Sequence, residues 1–281
     1  MEKKTVSNGK KIKNLVIGSE GFLGMSLCSY LENKGEHVTH FDIKRSNKED
    51  GRVAKFKLDA FDRIYFLAWE VGGAKYLYRK DTQLFQLNWN IDLLRNVMFQ
   101  LQKTRTPFVF ISSQLADETD TVYGAIKKIG ELWTQQLGGV CVRLWNIYGT
   151  REESSEKSHV ISDFIHQAIE TGEIRMITNG EEKRQFTHIE DVCDALHYLM
   201  EKKLNDKVYD LTNFEWISIK EVADIIGKHT GAKIIPGVSK GTGRDFATMK
   251  GKPHGWLPKV SIEEGIKKMI SLLKKNNKKA K

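Results

Sequence analysis

Apolar positions along this chain fall into two patterns, short unbroken runs and helical spacing, and the two take turns. In IKNLVIGSEGFLGMSLCSYLENKGEHVTHFDIKRS an apolar run leads through three glycines into an amphipathic stretch and then to a second apolar run, HVTHFDI. Short apolar runs bounded by turn residues predict buried strands, and 3.6-residue spacing predicts a helix, so the segment reads as a β-α-β unit. RIYFLA, FVFISS and VCVRLWNIYG are further runs of the first kind, separated by helical stretches over Leu84–Lys103 and Tyr123–Leu137. Such alternation predicts an α/β fold in which a doubly wound parallel sheet carries helices on both faces.

After about Asn146 the pattern loosens. A polar loop leads to a helix in HVISDFIHQAIETG, a short strand IRMI, and a helix in SIKEVADIIGKHTG for which Ser218 is the N-cap. The turn-rich GVSKGTGRDFATMKGKPHGWLP follows, and a last helix is expected from Ser261. The predicted organisation is a domain over residues 1–150 carrying the cofactor loop and the reactive groups, and a smaller, interleaved α/β lobe over residues 151–281 that binds substrate.

Composition narrows the function. A chain of 281 residues, 40% hydrophobic and 29% charged, can bury a sizeable core. Cys28, Cys141 and Cys193 stand far apart in apolar stretches, which argues against a disulfide framework or zinc site. No window approaches the roughly 18 to 20 apolar residues of a spanning helix, and MEKKTVSNGKK lacks the apolar core of a signal peptide. A cytoplasmic protein with no membrane partner is expected. The formal charge of +9 owes much to LLKKNNKKAK, read as the frayed, solvated end of the last helix. No basic stretch is interleaved with aromatics, so nucleic acid is not an expected partner, whereas phosphate-bearing small molecules suit the charge. His188, Glu190 and Asp191 in HIEDV read as the start of a helix with carboxylates at its positive end, and no metal is expected.

Gly18, Gly21 and Gly24 form G-x-x-G-x-x-G between the first strand and the first helix. In that setting glycines permit a tight turn and close approach of the backbone to a pyrophosphate at the positive helix end. Asp42, at the end of the next strand, can accept both adenosine ribose hydroxyls and would repel a 2′-phosphate, which favours NAD over NADP. Lys44 and Arg45 follow at once and could offset that repulsion. Tyr123 and Lys127, four residues apart on a helix, share a face.

With YFLAWEVGG, VRLWNIYG, NGEEKRQFTHIEDVCDAL and HGWLPKVSIEEGI in the same order, the chain resembles the extended short-chain dehydrogenase/reductases, the NAD-dependent epimerase/dehydratases that act on nucleotide sugars. The resemblance covers nearly the whole chain and implies a Rossmann-like fold and a homodimer built on two helices per subunit. It implies a cofactor site of Gly18, Gly21, Phe22, Leu23, Gly24, Asp42, Ile43, Leu67, Ala68 and Asn88, together with Tyr123 and Lys127. Tyr123 would be the acid/base, Lys127 would favour its phenolate and hold the nicotinamide ribose, and Ser113 would bond the reacting oxygen. Ser112 is the neighbouring candidate, and counting from the strand end favours Ser113. Val71, Gly72, Gly73, Gln114, Asn146, Arg184 and Arg244 would face the nucleotide-diphosphate sugar, the arginines gripping phosphate through their planar forks.

Three features depart from that family. Between FKLDAF and DRIYFLA there is almost no room for a crossover helix, so either a strand is lost or the connection is rebuilt, and Asp59, which resembles the family residue near the adenine, falls in that shortened stretch. The segment from Ser113 to Tyr123 is short, which predicts an open sugar pocket. Gln114 and Leu115 stand where 4,6-dehydratases of the family carry an Asp-Glu pair, and Gln114 falls about where GDP-fucose synthases have a catalytic cysteine. Dehydration and 3,5-epimerisation are therefore disfavoured. The expected activity is NAD-dependent oxidation and reduction at one sugar carbon, C4, as a 4-epimerase or a 4-dehydrogenase/ketoreductase. The alternatives are an NADP-dependent 4-keto-6-deoxy-sugar reductase and a non-catalytic dinucleotide-sensing or RNA-associated protein.

Overall fold

The computed structural model describes residues 11–72, 74–77, 79–150, 159–204, 207–242 and 249–279. The first half contains β1 (Lys13–Ile17), α1 (Phe22–Asn33), β2 (His37–Phe41), β3 (Arg63–Phe66), the single turn α2 (Ala74–Leu77), α3 (Gln83–Thr104), β4 (Phe108–Ser113), α4 (Val122–Gln136) and β5 (Val140–Leu144). The second contains β6 (Asn146–Tyr148), α5 (Val160–Thr171), β7 (Glu173–Arg175), β8 (Lys183–Arg184), β9 (Phe186–His188), α6 (Ile189–Lys202) and β10 (Val208–Leu211). The last elements are β11 (Ile217–Ser218), α7 (Ile219–Thr230), β12 (Lys233–Ile235) and α8 (Ile262–Lys279).

Six strands form one sheet in the order β10-β5-β4-β3-β1-β2, and every pair is parallel. Because successive side chains point to opposite faces, each strand feeds two cores. Val16, Tyr65, Val109, Val142 and Tyr209 meet Leu27 and Leu31 of α1 and Val192 and Leu196 of α6. Ile17, Ile64, Phe66, Phe110 and Cys141 meet Leu94, Val97 and Met98 of α3 and Ile126 of α4. Complete burial of each Leu, Ile or Phe contributes about 1.5–3 kcal/mol. A third core lies in the second half, where α5, α7 and α8 close over Tyr148, Ile174 and Phe186. The chain leaves that lobe at α6 and β10 to complete the large sheet, so the two halves interleave.

The run VCVRLWNIYG, continuous in its apolar pattern, divides into β5 and β6. Trp145 is the break: its indole N–H donates to Asp210 Oδ1 at 2.9 Å and its ring stands edge-on to Trp216. The chain then turns away, and β6 pairs with β9 instead. The narrow connection before β3 is resolved by losing a strand, which leaves β2 at the sheet edge. Side chains of α3 take over the hydrogen bonds a sheet would have made, as buried backbone requires. Asn96 donates to Gly51 O and Ala54 O at 2.9 Å each, and Gln100 donates to Ala54 O and accepts from Phe56 N at 2.8 Å. The lysine-rich tail, expected to fray, continues α8 to Lys279. Among the described residues no helix is long and apolar enough to cross a membrane.

Candidate active site

The glycine loop joins β1 to α1, and two of its glycines are dictated by the chain itself. Gly18 has φ +97°, and a Cβ there would lie 2.4 Å from Ala68 N; a Cβ on Gly24 would lie 2.0 Å from Gly18 O. Gly21 differs, since a Cβ on it would meet only Gly18 O at an ordinary 3.5 Å. The space beside Gly21 is what a closely approaching pyrophosphate needs. As N-cap, Gly21 offers no side-chain hydrogen bond to α1, whose first turn has no acidic residue, so the helix presents its amides and positive end to an anion. Phe22 and Leu23 open that helix.

Asp42 follows β2, and its carboxylate accepts from Glu20 N at 3.0 Å and Lys44 N at 2.9 Å. Two further lone pairs remain to it for ribose hydroxyls. Arg45 lies 3.2 Å from Glu20 and 3.6 Å from Glu49, so the nearby guanidinium is engaged by carboxylates. Leu67 N and Ala68 N both donate to Ile17 O at 2.8 Å, fixing the β3 exit beside the glycine loop, and Ile43 follows Asp42 directly.

The asparagine expected from α3 requires correction. Asn88 is exposed on the outer side of the helix, whereas Asn90, two residues on and turned inward, is buried. Asn90 accepts from Glu70 N at 2.8 Å and donates to Glu70 O at 3.0 Å, bracing the chain that leaves β3. Val71 and Gly72 lie on that chain, and Gly73 falls outside the described residues. Asp59 is exposed on a short 3-10 turn, Leu58–Ala60.

Tyr123 and Lys127 open α4, which Thr121 caps by accepting from Gly124 N at 3.1 Å. The Lys127 ammonium is 5.7 Å from the centre of the Tyr123 ring, so the two do share a face. It is buried, donates to Ile111 O at 2.7 Å and lies 3.6 Å from the centre of the Trp69 ring. Burial pushes its pKa well below the ordinary lysine range, against smaller opposing effects of Cys141 and Glu131. The indole Nε1 of Trp69 is buried without a hydrogen-bond partner.

The two serines ending β4 separate by their partners. Ser112 donates to Glu131 Oε1 at 2.7 Å, while Ser113 Oγ accepts from Leu115 N at 3.2 Å. Ser112 is thus tied to a buried ionic network. There Arg143 donates through Nε to Glu131 at 2.5 Å and through both terminal nitrogens to Asp117 at 2.8 and 2.9 Å. This clamp is how the short segment before Tyr123 is built: residues Gln114–Asp117 form a 3-10 turn locked to β5, with Gln114 at its start. Asp117, Glu131 and Arg143 were missed in the sequence, although an arginine inside the apolar VCVRL signals a buried partner.

In the second lobe Asn146 donates to Gln185 O at 2.9 Å, holding β6 to β9. Arg184 donates to Thr242 O at 2.7 Å, beside the segment that carries Arg244, itself outside the described residues. HIEDV enters α6, with His188 as N-cap accepting from Glu190 N at 3.4 Å and burial pushing its pKa down. Asp191 accepts from Lys259 N and Val260 N at 3.0 and 2.9 Å. Among the described residues no three His, Cys, Asp or Glu side chains group as metal ligands.

The model of the NAD dependent epimerase/dehydratase family matches residues 14–213. The chain belongs to that family. NAD is the family's cofactor, and the Gly21 cradle and Asp42 suit it. Among curated relatives, the chain is 24% identical over 269 residues to UDP-N-acetyl-alpha-D-glucosaminuronate decarboxylase of Bacillus cytotoxicus, covering 80% of this chain and 83% of that one. It is also 24% identical over 310 residues to UDP-glucuronic acid decarboxylase 1 of Arabidopsis thaliana, covering 93% and 70%. A solved UDP-glucose 4-epimerase of Thermotoga maritima, in complex with UDP-glucose, superposes with TM-score 0.78 at 19% identity, covering 95% of this chain and all of that one. The structural likeness speaks for the fold.

Proposed function

We propose that this protein oxidises C4 of a nucleotide-diphosphate sugar with NAD, the step shared by 4-epimerases and 4-dehydrogenases. The observation that carries the reading is that Tyr123 and Lys127 share one face of α4, the helix that follows the carboxyl end of β4, one strand removed from the β1 that leads into the glycine loop. NAD, when bound, supplies the acceptor for the hydride that leaves the sugar carbon.

The protein's own groups do the rest. Tyr123 Oη takes the proton of the C4 hydroxyl and returns it on reduction, and Ser113 Oγ donates a hydrogen bond to the same oxygen. A free phenol titrates near 10. Lys127 helps through charge: a phenolate beside it relieves the burial that disfavours its ammonium, so the two groups stabilise each other's ionised forms. Gly18, Gly21 and Gly24 admit the pyrophosphate, Asp42 binds the ribose, and Asn90 replaces Asn88 as the α3 residue that braces the cleft. Asn146, Arg184 and Arg244 hold the sugar nucleotide, with Val71, Gly72, Gly73 and Gln114 along its path.

The decarboxylase relatives support a second outcome of the same step. A ketone at C4 is β to a carboxylate on C5, and a β-keto acid loses carbon dioxide readily, so a uronic acid substrate would decarboxylate where a hexose would epimerise. The test is a panel of nucleotide sugars, uronic acids included, incubated with NAD while product, carbon dioxide and reduced nicotinamide are followed. Replacing Tyr123 with Phe is expected to lower turnover by about 10²- to 10⁴-fold with NAD binding retained. No turnover of any member, with wild type and Tyr123→Phe indistinguishable, would end the proposal.

A further inference from the structure

Between the outer flank of α4 and the start of β10 lies a cavity of about 600 Å³ that the chemistry above does not use. Lys128, Lys207, Lys250 and Lys252 line it, and they come from three separate segments of the chain. The carboxylates whose side chains pair with them are Glu131 in the wall and Asp117, from which Lys128 and Lys250 stand 3.6 and 3.2 Å. Both carboxylates are already held by Arg143. With the buried Asp210, which accepts from Lys250 N and Gly251 N, five cations meet three carboxylates, and the surplus is still positive. The residues around Gly251 are held to β10 by Asp210 N donating to Gly251 O at 2.8 Å and Gly251 N donating to Asp210 Oδ2 at 3.2 Å.

Lysines gathered in this way repel one another, and an anion between them relieves the repulsion. Leu204, Val208 and Tyr209 give the same cavity an apolar floor. Its volume lies within the range of roughly 300–1,000 Å³ typical of small-molecule sites. We propose that this cavity is a second ligand site, separate from the cofactor cleft, for a small molecule carrying an oligophosphate group. An oligophosphate matches a ring of point-charge ammonium groups, and the apolar floor can receive a base attached to it.

The test is calorimetric titration of the full-length protein, with NAD in excess, against inorganic tripolyphosphate and against ATP. Binding is expected to weaken as salt is raised. The double variant Lys207→Gln, Lys252→Gln, whose lysines contact none of the residues assigned to the reaction, is expected to weaken binding by about tenfold or more, a loss of about 1.4 kcal/mol. Its turnover and unfolding temperature should match the wild type. Equal affinity for the two probes would assign the site to the phosphate chain alone, and tighter binding of ATP would give the floor to the base; either result supports the site. Absence of binding by both probes, undiminished affinity in the double variant, or binding to RNA alone would overturn it.

Discussion

At Lys127 stability and use oppose each other. Its amine is buried and its pKa is pushed well down, so the folded state binds that proton less readily than the unfolded chain does. The stability cost is therefore absent above the ordinary lysine pKa, grows as pH falls from there, and is complete below the folded value. Replacing Lys127 with Met removes the cost while filling the space under Trp69. The variant is expected to melt higher at neutral pH by about 2–4 °C, corresponding to about 1 kcal/mol, and to lose turnover. A variant that melts lower would show that the bond to Ile111 O and the indole face outweigh burial. Cofactor choice is decided at the same scale. Asp42→Ser removes the charge that repels a 2′-phosphate, but Arg45 stays bound to Glu20 and Glu49, so NADP use should rise only partway toward NAD use. Comparing kcat/KM for the two cofactors measures this, and an unchanged ratio would remove Asp42 from the ribose site.

Elements decide where those residues point, and here the sequence was legible unevenly. Strand and helix order could be read because each strand alternates between two apolar cores, and helices carry one apolar face. The α3 asparagine was misplaced because a two-residue shift leaves the helical pattern almost untouched while turning a side chain from the cleft to the outer surface; only the bonds of Asn90 to Glu70 separate the two. The lost strand before β3 was visible as missing length, but its replacement by Asn96 and Gln100 was not, since glutamine and asparagine carry no long-range signal. The turn before α4 hid its clamp for the same reason. Arg143 beside Asp117 holds that carboxyl well below the usual carboxylate range. A carboxylate with a depressed pKa contributes stability above its unfolded value of about 3.9, and the contribution fades as pH falls through the folded value. Asp117→Asn should thus destabilise the protein by a constant amount at pH 5 to 7, with the difference from wild type shrinking in stronger acid. Thermal melts across that range check it, and a difference that does not narrow in acid would mean Arg143 and Asp117 act through shape and not charge.

For the whole molecule, the outer faces of α3 and α4 remain to be accounted for. Leu84, Phe85 and Phe99 lie on one side of α3, and Ile129 and Leu132 on one side of α4, each at least 44% exposed. The two helices pack against each other, so both exposed apolar sides belong to one helix pair. Large apolar side chains gathered on an exposed helix pair are candidates for an interaction surface. Asn88 sits on the same outer face, which explains why it does not turn toward the cofactor cleft. We propose that two copies pair through α3 and α4 as a four-helix interface. Because Tyr123 and Lys127 open α4, pairing would stiffen the helix that carries the reactive groups without adding a residue to the site. Light scattering on the wild type should give the mass of two chains, and Phe99→Glu with Leu132→Glu should give the mass of one, since burying two unpaired carboxylates in an apolar interface is strongly unfavourable. Turnover per chain should fall in that variant, with NAD affinity changed less. A wild type that stays monomeric at high concentration, or a double variant that remains dimeric, would assign the patch another role.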